Sequence, residues 1–383
     1  MRTKTRIPSF SHYLSFISRT GRRIPPLKIG FIIDSMTFKY RRAITITEQS
    51  GSDLTDYQVL IELNSSNFDF SHAQTNGEDI RFTDDDGNLL DYWIEEWDAV
   101  NEKAKIWVKV PSIPANSSVE IYCYYGNSEI TSASDADATF IRVIDGVVGS
   151  WHFDEGSGLT AYDTSGNDND GTLVNGPTWV DGKFGTALDF DREERNYVNM
   201  GDILDYITEG SFTLESWIKA DTSQYIDAFI ISKSENGNAF SLSLYSYHYG
   251  RVRYVRSGTS WGVTGNKDVV DGQWHHLIYL ADRDRNALSL YVDGMLDKER
   301  TDWTAGSIDV DEPLTIGIKN TGESYPYNGV IDEVRIYNRA LTAQEISDLY
   351  NNYGYTTENY PGKVLVRKYS SPEPSVSLGV EET

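Results

Sequence analysis

The sequence predicts an all-β protein built from two sheet sandwiches, and three observations carry that reading. Short runs that alternate apolar and polar residues recur along the chain, and Gly, Asn, Asp and Pro close them off. Aromatic residues make up 13% of the chain, with 25 Tyr and 9 Trp, while Gly is frequent at 31 and Met scarce at 4. That composition suits sandwiches with many turns and argues against helical bundles. At 383 residues the chain is long enough for two or three domains with proper cores.

Charge and cysteine usage narrow the function. The formal net charge is −24. An acidic surface repels nucleic acid, which argues against DNA or RNA as partner, and it attracts divalent cations. Cys123 is the single cysteine, so no disulfide forms within the chain. In I-Y-C-Y-Y-G it reads as a small apolar strand residue. No run reaches the roughly 18 apolar residues of a membrane span. The first residues lack a long apolar segment and a small-residue cleavage site, so no standard signal peptide is expected.

Residues 1–35 form a basic arm: Arg2, Lys4, Arg6, Arg19, Arg22, Arg23 and Lys28 precede the first acid, Asp34, and Pro25-Pro26 breaks any helix. Two readings stay open: a loosely docked extension, or an anchor that threads into an acidic partner such as a neighbouring copy.

Residues 36–140 read as the first sandwich. Arg41–Thr47, Tyr57–Leu63, Asp79–Thr83, Leu90–Trp97, Ala104–Val110 and Val119–Tyr125 are strand-like runs. Asp84-Asp85-Asp86-Gly87 imitates a calcium loop but lacks the twelve-residue frame with a closing bidentate Glu, so it reads as a hairpin turn. Y-R-R-A-I-T-I, G-E-D-I-R-F-T-D, L-D-Y-W-I-E, W-V-K-V-P and I-Y-C-Y-Y-G-N make this segment resemble a domain of unknown function (DUF2341) of archaeal, bacterial and some viral surface proteins. That resemblance implies context and no chemistry. The small, polar stretch 128–140 reads as a linker.

The second domain is expected over 148–352. Its marker is Val330–Leu349, a strand, a turn and a short helix, with Thr342 as N-cap and Glu345 as its capping-box partner. Asp332-Glu333 sits inside the strand. As strand neighbours the two acids are expected to face opposite sides, and an inward carboxylate needs a cation or several donors. G-V-I-D-E-V-R-I-Y-N-R-A-L-T resembles the last strand of laminin G-like, concanavalin A-like jelly rolls. Trp151–Gly156, D-T-S-G-N-D-N-D-G-T (163–172), Gly185–Phe190, Phe212–Ile218, Gly272–Leu277 and L-S-L-Y-V-D-G (288–294) resemble further markers of that family in the same order.

The resemblance implies a structural calcium held by an Asp of the last strand, which is Asp332 here, with help from carbonyls near the first strand. Asp154, Asp163, Asn167, Asp170, Asp189 and Asp191 are further candidate oxygen donors. Hard oxygen donors without Cys suit calcium, which takes about 6–8 of them. The alternative is that Asp332 accepts backbone N–H groups and 163–170 is an ordinary Asx-rich turn.

Some folds of this type are glycosidases, which need two carboxyl groups about 5–9.5 Å apart across a cleft. The E-x-D-x-x-E run of such enzymes is absent, and Glu215 is a lone strand acid, so no catalytic residue is assigned. His275 and His276 are adjacent on a strand and point apart, against a shared metal. Tyr245, Tyr247, Tyr249 and Trp261 are the candidate ligand-binding surface. Flat rings beside polar groups suit sugar stacking, protein interfaces or simple cover for the core.

The tail, 353–383, holds two strand-like runs around Pro372-Glu373-Pro374. R-K-Y-x-S-P-E-P-x-V-x-x-G resembles the closing segment seen with the first domain family. Residues 360–383 are therefore expected to return to the first sandwich, with the second domain as an insertion. The reading as a whole is a non-enzymatic binding or adhesion module for a glycan or a surface protein, at an extracellular, cell-surface or virion-surface address. Two alternatives stay open: a virion or appendage component that self-assembles through the basic arm, and a glycoside hydrolase.

Overall fold

The computed structural model describes residues 31–33, 36–224, 227–235, 238–245, 249–256, 258–304, 306–308, 310–320 and 324–383. Nearly all of the basic arm, residues 1–30 and 34–35, and Tyr247 lie outside the described residues. The chain divides into two units, 1–135 with 370–383, and 136–369.

The first unit is a sandwich of antiparallel strands. One sheet runs in the order Ser375–Glu382, Tyr40–Thr47, Ser118–Tyr125, Arg81–Asp84, Leu89–Leu90, and the other in the order Leu54–Asn64, Lys103–Ile113, Tyr92–Asp98. Alternation places Ile44, Ile46, Ile121 and Cys123 of one sheet and Val59, Ile61, Ile106 and Val108 of the other in one core. Burial pushes the Cys123 thiol well above its usual range, so it behaves as an apolar residue. The 84–87 stretch is a hairpin turn: Gly87 has φ +84°, and the Asp84 carboxylate accepts the Asn88 N–H at 2.8 Å.

The tail divides between the units. Ser375–Glu382 pairs with Tyr40–Thr47, setting Val376 against Ile46 and Leu378 against Ile44. Residues 360–369 do not join it, which corrects the expectation for 360–383. Lys363–Arg367 is instead the middle strand of a small sheet between Arg142–Asp145 and Tyr353–Tyr355, inside the second unit. The second unit is thus longer than 148–352 at both ends. The 128–135 part of the expected linker lies along the first sandwich, where Arg81 donates to Thr131 O at 2.6 Å and the Ser134 hydroxyl accepts Ile94 N–H at 2.8 Å.

The second unit stacks two eight-stranded sheets. The first runs Thr178–Asp181, Thr186–Phe190, Gly329–Tyr337, Phe212–Ala220, His275–Asp282, Ala287–Val292, Met295–Arg300, with Val147–Trp151 also paired to Gly329–Tyr337. The second runs Thr160–Ala161, Gly171–Val174, Tyr197–Asn199, Thr315–Ile316, Ala228–Glu235, Asn238–Tyr245, Tyr249–Arg256, Thr259–Asp268. Leu214, Ile218, Val334 and Ile336 of the first meet Ile231, Phe240, Leu242 and Leu244 of the second in the core.

The outer face of the first sheet is also covered. Helix Ala343–Asn351 starts at the predicted capping box, with both reciprocal bonds formed between Thr342 and Glu345. Its Ile346 and Leu349 pack with Ile278, Leu280, Val364 and Val366 on that outer face. Each such burial stabilises by roughly 1.5–3 kcal/mol. Among the described residues no helix is long and apolar enough to cross a membrane.

Candidate functional site

Two places in the second unit concentrate polar chemistry. The first lies under the helix, on the outer face of the first sheet. Strand Gly329–Tyr337 carries a bulge there: Asp332 pairs with Trp217 and Arg335 with Glu215, so two residues oppose Ser216, and Glu333 takes a left-handed φ of 52°. Ile331 and Val334 both face the core, three residues apart instead of two. Asp332 and Glu333 therefore lie on the same outer face, which corrects the expectation of opposite sides.

The bulge builds a buried ionic network. Arg335 reaches Glu215 Oε1 at 3.1 Å and also pairs with Glu333. His276 Nε2 lies 3.0 Å from Glu215 Oε1, and Tyr337 donates to Glu215 Oε2 at 2.6 Å. His152 Nδ1 stands 2.9 Å from Glu333 Oε1, and its Nε2 is 2.7 Å from the Thr356 hydroxyl. Burial pushes the Glu215 carboxyl up, but Arg335, His276 and Tyr337 outweigh it and hold it below its ordinary range. His275 faces away from His276, toward Asp293 at 2.9 Å and Asp271 at 3.1 Å.

The predicted metal ligands fall into three groups by their partners. Asp332, fully buried, accepts N–H bonds from Lys183 at 2.8 Å, Phe184 at 3.2 Å and Glu333 at 2.8 Å. Its carboxyl is pushed well above the usual range by burial, then by Glu333 and Asp154. Asp154, which accepts Thr186 N–H at 2.8 Å, is raised chiefly by burial and also by Glu333. The second group is Asp163, Asn167 and Asp170. Asp163 accepts the N–H groups of Ser150, Ser165 and Asn169, Asp170 accepts that of Asp163, and Asn167 donates to Ser165 Oγ. That is an Asx-rich turn satisfied from within. The third is Asp189, half-buried, with its carboxyl raised by burial and then by Asp191 and Asp221. Among the described residues no three His, Cys, Asp or Glu side chains are grouped to hold a metal ion.

The second place is an open pocket of about 230 Å³ on the outer face of the second sheet. Because Phe240, Leu242 and Leu244 enter the core, Ser241, Ser243 and Tyr245 point outward. Residues directly opposite share their face: Arg253 opposite Ser241, Arg251 opposite Ser243, Tyr249 opposite Tyr245. The Arg251 guanidinium lies 4.2 Å over the Tyr245 ring. Phe229, Lys319, Tyr325 and Asp227 complete the wall, with Lys319 5.8 Å from the Tyr325 ring. Tyr245 and Tyr325 are exposed at 36% and 47%.

Trp261 does not belong to this surface. It stands opposite Tyr254, which stands opposite the core residue Phe240, and it packs against the core. The candidate aromatic patch thus retains Tyr245 and Tyr249. Arg251 and Arg253, two apart on one strand and so on one face, were a legible signal in R-V-R; Lys319 and Tyr325 come from a distant loop and had none.

Known proteins match the chain in parts. Residues 192–347 match the model of the concanavalin A-like lectin/glucanases superfamily, and residues 76–165 match that of a domain of unknown function (DUF2341). The latter match runs past residue 135 into the first strands of the second unit. A search of the curated proteins finds no match. Among solved structures, the binding domain of Paraclostridial Mosquitocidal Protein 1 is 17% identical, with TM-score 0.46 over 56% of this chain and 55% of its own. Domain 4 of AbnA, an extracellular arabinanase from Geobacillus stearothermophilus, is 20% identical, with TM-score 0.45 over 54% of this chain and 98% of its own. The binding domain of botulinum neurotoxin serotype G is 16% identical, with TM-score 0.43 over 54% of this chain and 52% of its own. The chain spans about half the length of the two toxin domains. The chain thus matches the DUF2341 model over 76–165 and, after it, the model of the concanavalin A-like lectin/glucanases superfamily over 192–347.

Proposed function

We propose that the protein is a non-enzymatic binding module whose second domain holds a glycan at the open pocket beside Tyr245. The superfamily name covers sugar binding and sugar cleavage alike. One observation favours binding: the strand acids Glu215, Asp332 and Glu333 are completely buried beneath the outer layer, while Tyr245 and Tyr325 stand open to solvent. A hydrolase needs two carboxyl groups facing across a cleft that admits sugar and water. Exposed rings beside guanidinium groups offer stacking and hydrogen bonds without bond cleavage. The test is a glycan array probed with the intact protein and with Tyr245→Ala. The reading expects glycan signal that the substitution removes, and a protein that binds no glycan, or releases reducing sugar, overturns it.

We also propose calcium as a structural ion beside Asp332, and the donor set supports part of the seven-residue expectation. Asp332 and Asp154 are both raised by burial and then by the nearby carboxylate of Glu333, which a cation would offset. Asp332 Oδ2, Thr186 O and Phe184 O converge on Gly182, where a methyl group would lie 2.6–2.8 Å from each. Two carboxylates and carbonyls are hard donors of the kind calcium takes, with water completing its shell. The 163–170 turn and Asp189 are left out of that ion's shell.

A further inference from the structure

We infer that the ligand of the pocket beside Tyr245 is an acidic saccharide, whose carboxylate is taken by Arg251, Arg253 and Lys319. The inference rests on the glycan reading above and narrows it to a charge class.

Three cationic side chains line the pocket against one carboxylate, Asp227. This is a local reversal in a chain of net charge −24. Among the described residues none of the three cations is in a salt bridge, whereas Arg192, Lys267, Arg285, Arg300, Arg339 and Lys363 of the same unit each are. Among the described residues Arg253 bonds only to a neutral partner, the Ser260 hydroxyl, at 3.2 Å. Arg251 is held in place by Tyr245 beneath it, and its Nε is buried with no hydrogen-bond partner. Burial and then the neighbouring Arg253 both work against the charge on Arg251, so two like charges are held close on one face.

An anion pairs the three cations and relieves the crowding of like charge. A planar carboxylate suits the fork of a guanidinium, and Lys319 adds a movable point charge from the opposite wall. The rings of Tyr245 and Tyr325 offer flat apolar faces at the same mouth, which a bare inorganic ion cannot use but a sugar ring can. The pocket, at about 230 Å³, suits one or two sugar units and not a macromolecular surface.

The experiment is calorimetric titration of the full chain with tetragalacturonate, with the neutral maltotetraose and with sodium sulfate. Expected is binding of the uronate at least about tenfold tighter than of the neutral sugar, weakening as salt rises. Arg251→Gln and, separately, Lys319→Gln should each lower the charged-to-neutral affinity ratio about tenfold or more. Lys319→Gln guards against misfolding of the Arg251 variant, and a thermal melt checks both. Equal affinity for the two sugars, or an unchanged ratio in both variants, overturns the acidic-ligand inference and leaves the array result for glycan binding standing. Sulfate binding as tight as the uronate also overturns it, since the sugar then contributes nothing. If no sugar binds here and the array is also blank, both readings fall together.

Discussion

Arg335 and Glu215 face each other across neighbouring strands, 3.1 Å apart and almost wholly buried. The pair holds the layer outside the first sheet to the sheet itself, because Arg335 also bonds to Glu333 and to the carbonyl of Gly354. Removing one member of such a network leaves the others charged in a dry interior. Arg335→Met should destabilise the second unit by about 3–5 kcal/mol in urea unfolding. A loss below about 1 kcal/mol would show that the carboxylates are satisfied without it.

Asp332 contributes in the opposite sense, stabilising the fold more as the pH falls. Burial and Glu333 raise its carboxyl in the folded state above the unfolded value of about 3.9. The folded protein therefore binds this proton more readily than the unfolded chain does. Its contribution is most favourable below that unfolded value and is lost as pH rises toward the folded one. With chelator present, wild type should gain stability relative to Asp332→Asn between pH 7 and pH 5. A difference that stays flat, or that grows in the other direction, contradicts the raised carboxyl.

Calcium should change the same measurement. An ion present at about 100-fold over its dissociation constant adds about 2.7 kcal/mol. In a unit of this size that raises the melting temperature by roughly 5–10 °C. Chelator should remove the increment from wild type and have no effect on Asp332→Asn. Equal melts with and without chelator would dispose of the ion.

The tail strand supports the first sandwich alone. Val376 and Leu378 pack against its core, and Tyr57 bonds to Ser370 at 3.0 Å. Deleting 370–383 uncovers the Tyr40–Thr47 edge, which then invites pairing with other chains. Limited proteolysis should cut 36–135 faster in the truncated protein while 136–369 keeps its resistance. Equal resistance in both segments would refute this division.

The thiol of Cys123 offers an independent check on the first core. It is buried and held protonated, so a thiol reagent should leave it unmodified in the native protein and label it after unfolding. Native labelling at the unfolded rate would contradict that core.

Local pattern was enough for the elements of this protein. Alternation located the strands of the first sandwich, resemblance to family motifs located most of those of the second, and Thr342 with Glu345 announced the helix, because all three signals depend on residues close in sequence. Tertiary structure alone decided what those elements enclose. Period-two reading sent Asp332 and Glu333 to opposite faces, and the bulge at Glu333, set by pairing with Phe212–Ala220, turned both outward. Nearness in sequence joined Trp261 to the tyrosines, and only strand register put it on the core side. Lys363–Arg367 reads equally well as a strand for either unit, and its partner Arg142–Asp145 made the choice. The pocket gathers Phe229, Tyr245, Arg251 and Lys319 from separate strands and a loop. Register and bulges come from long-range pairing, which no short window of sequence contains.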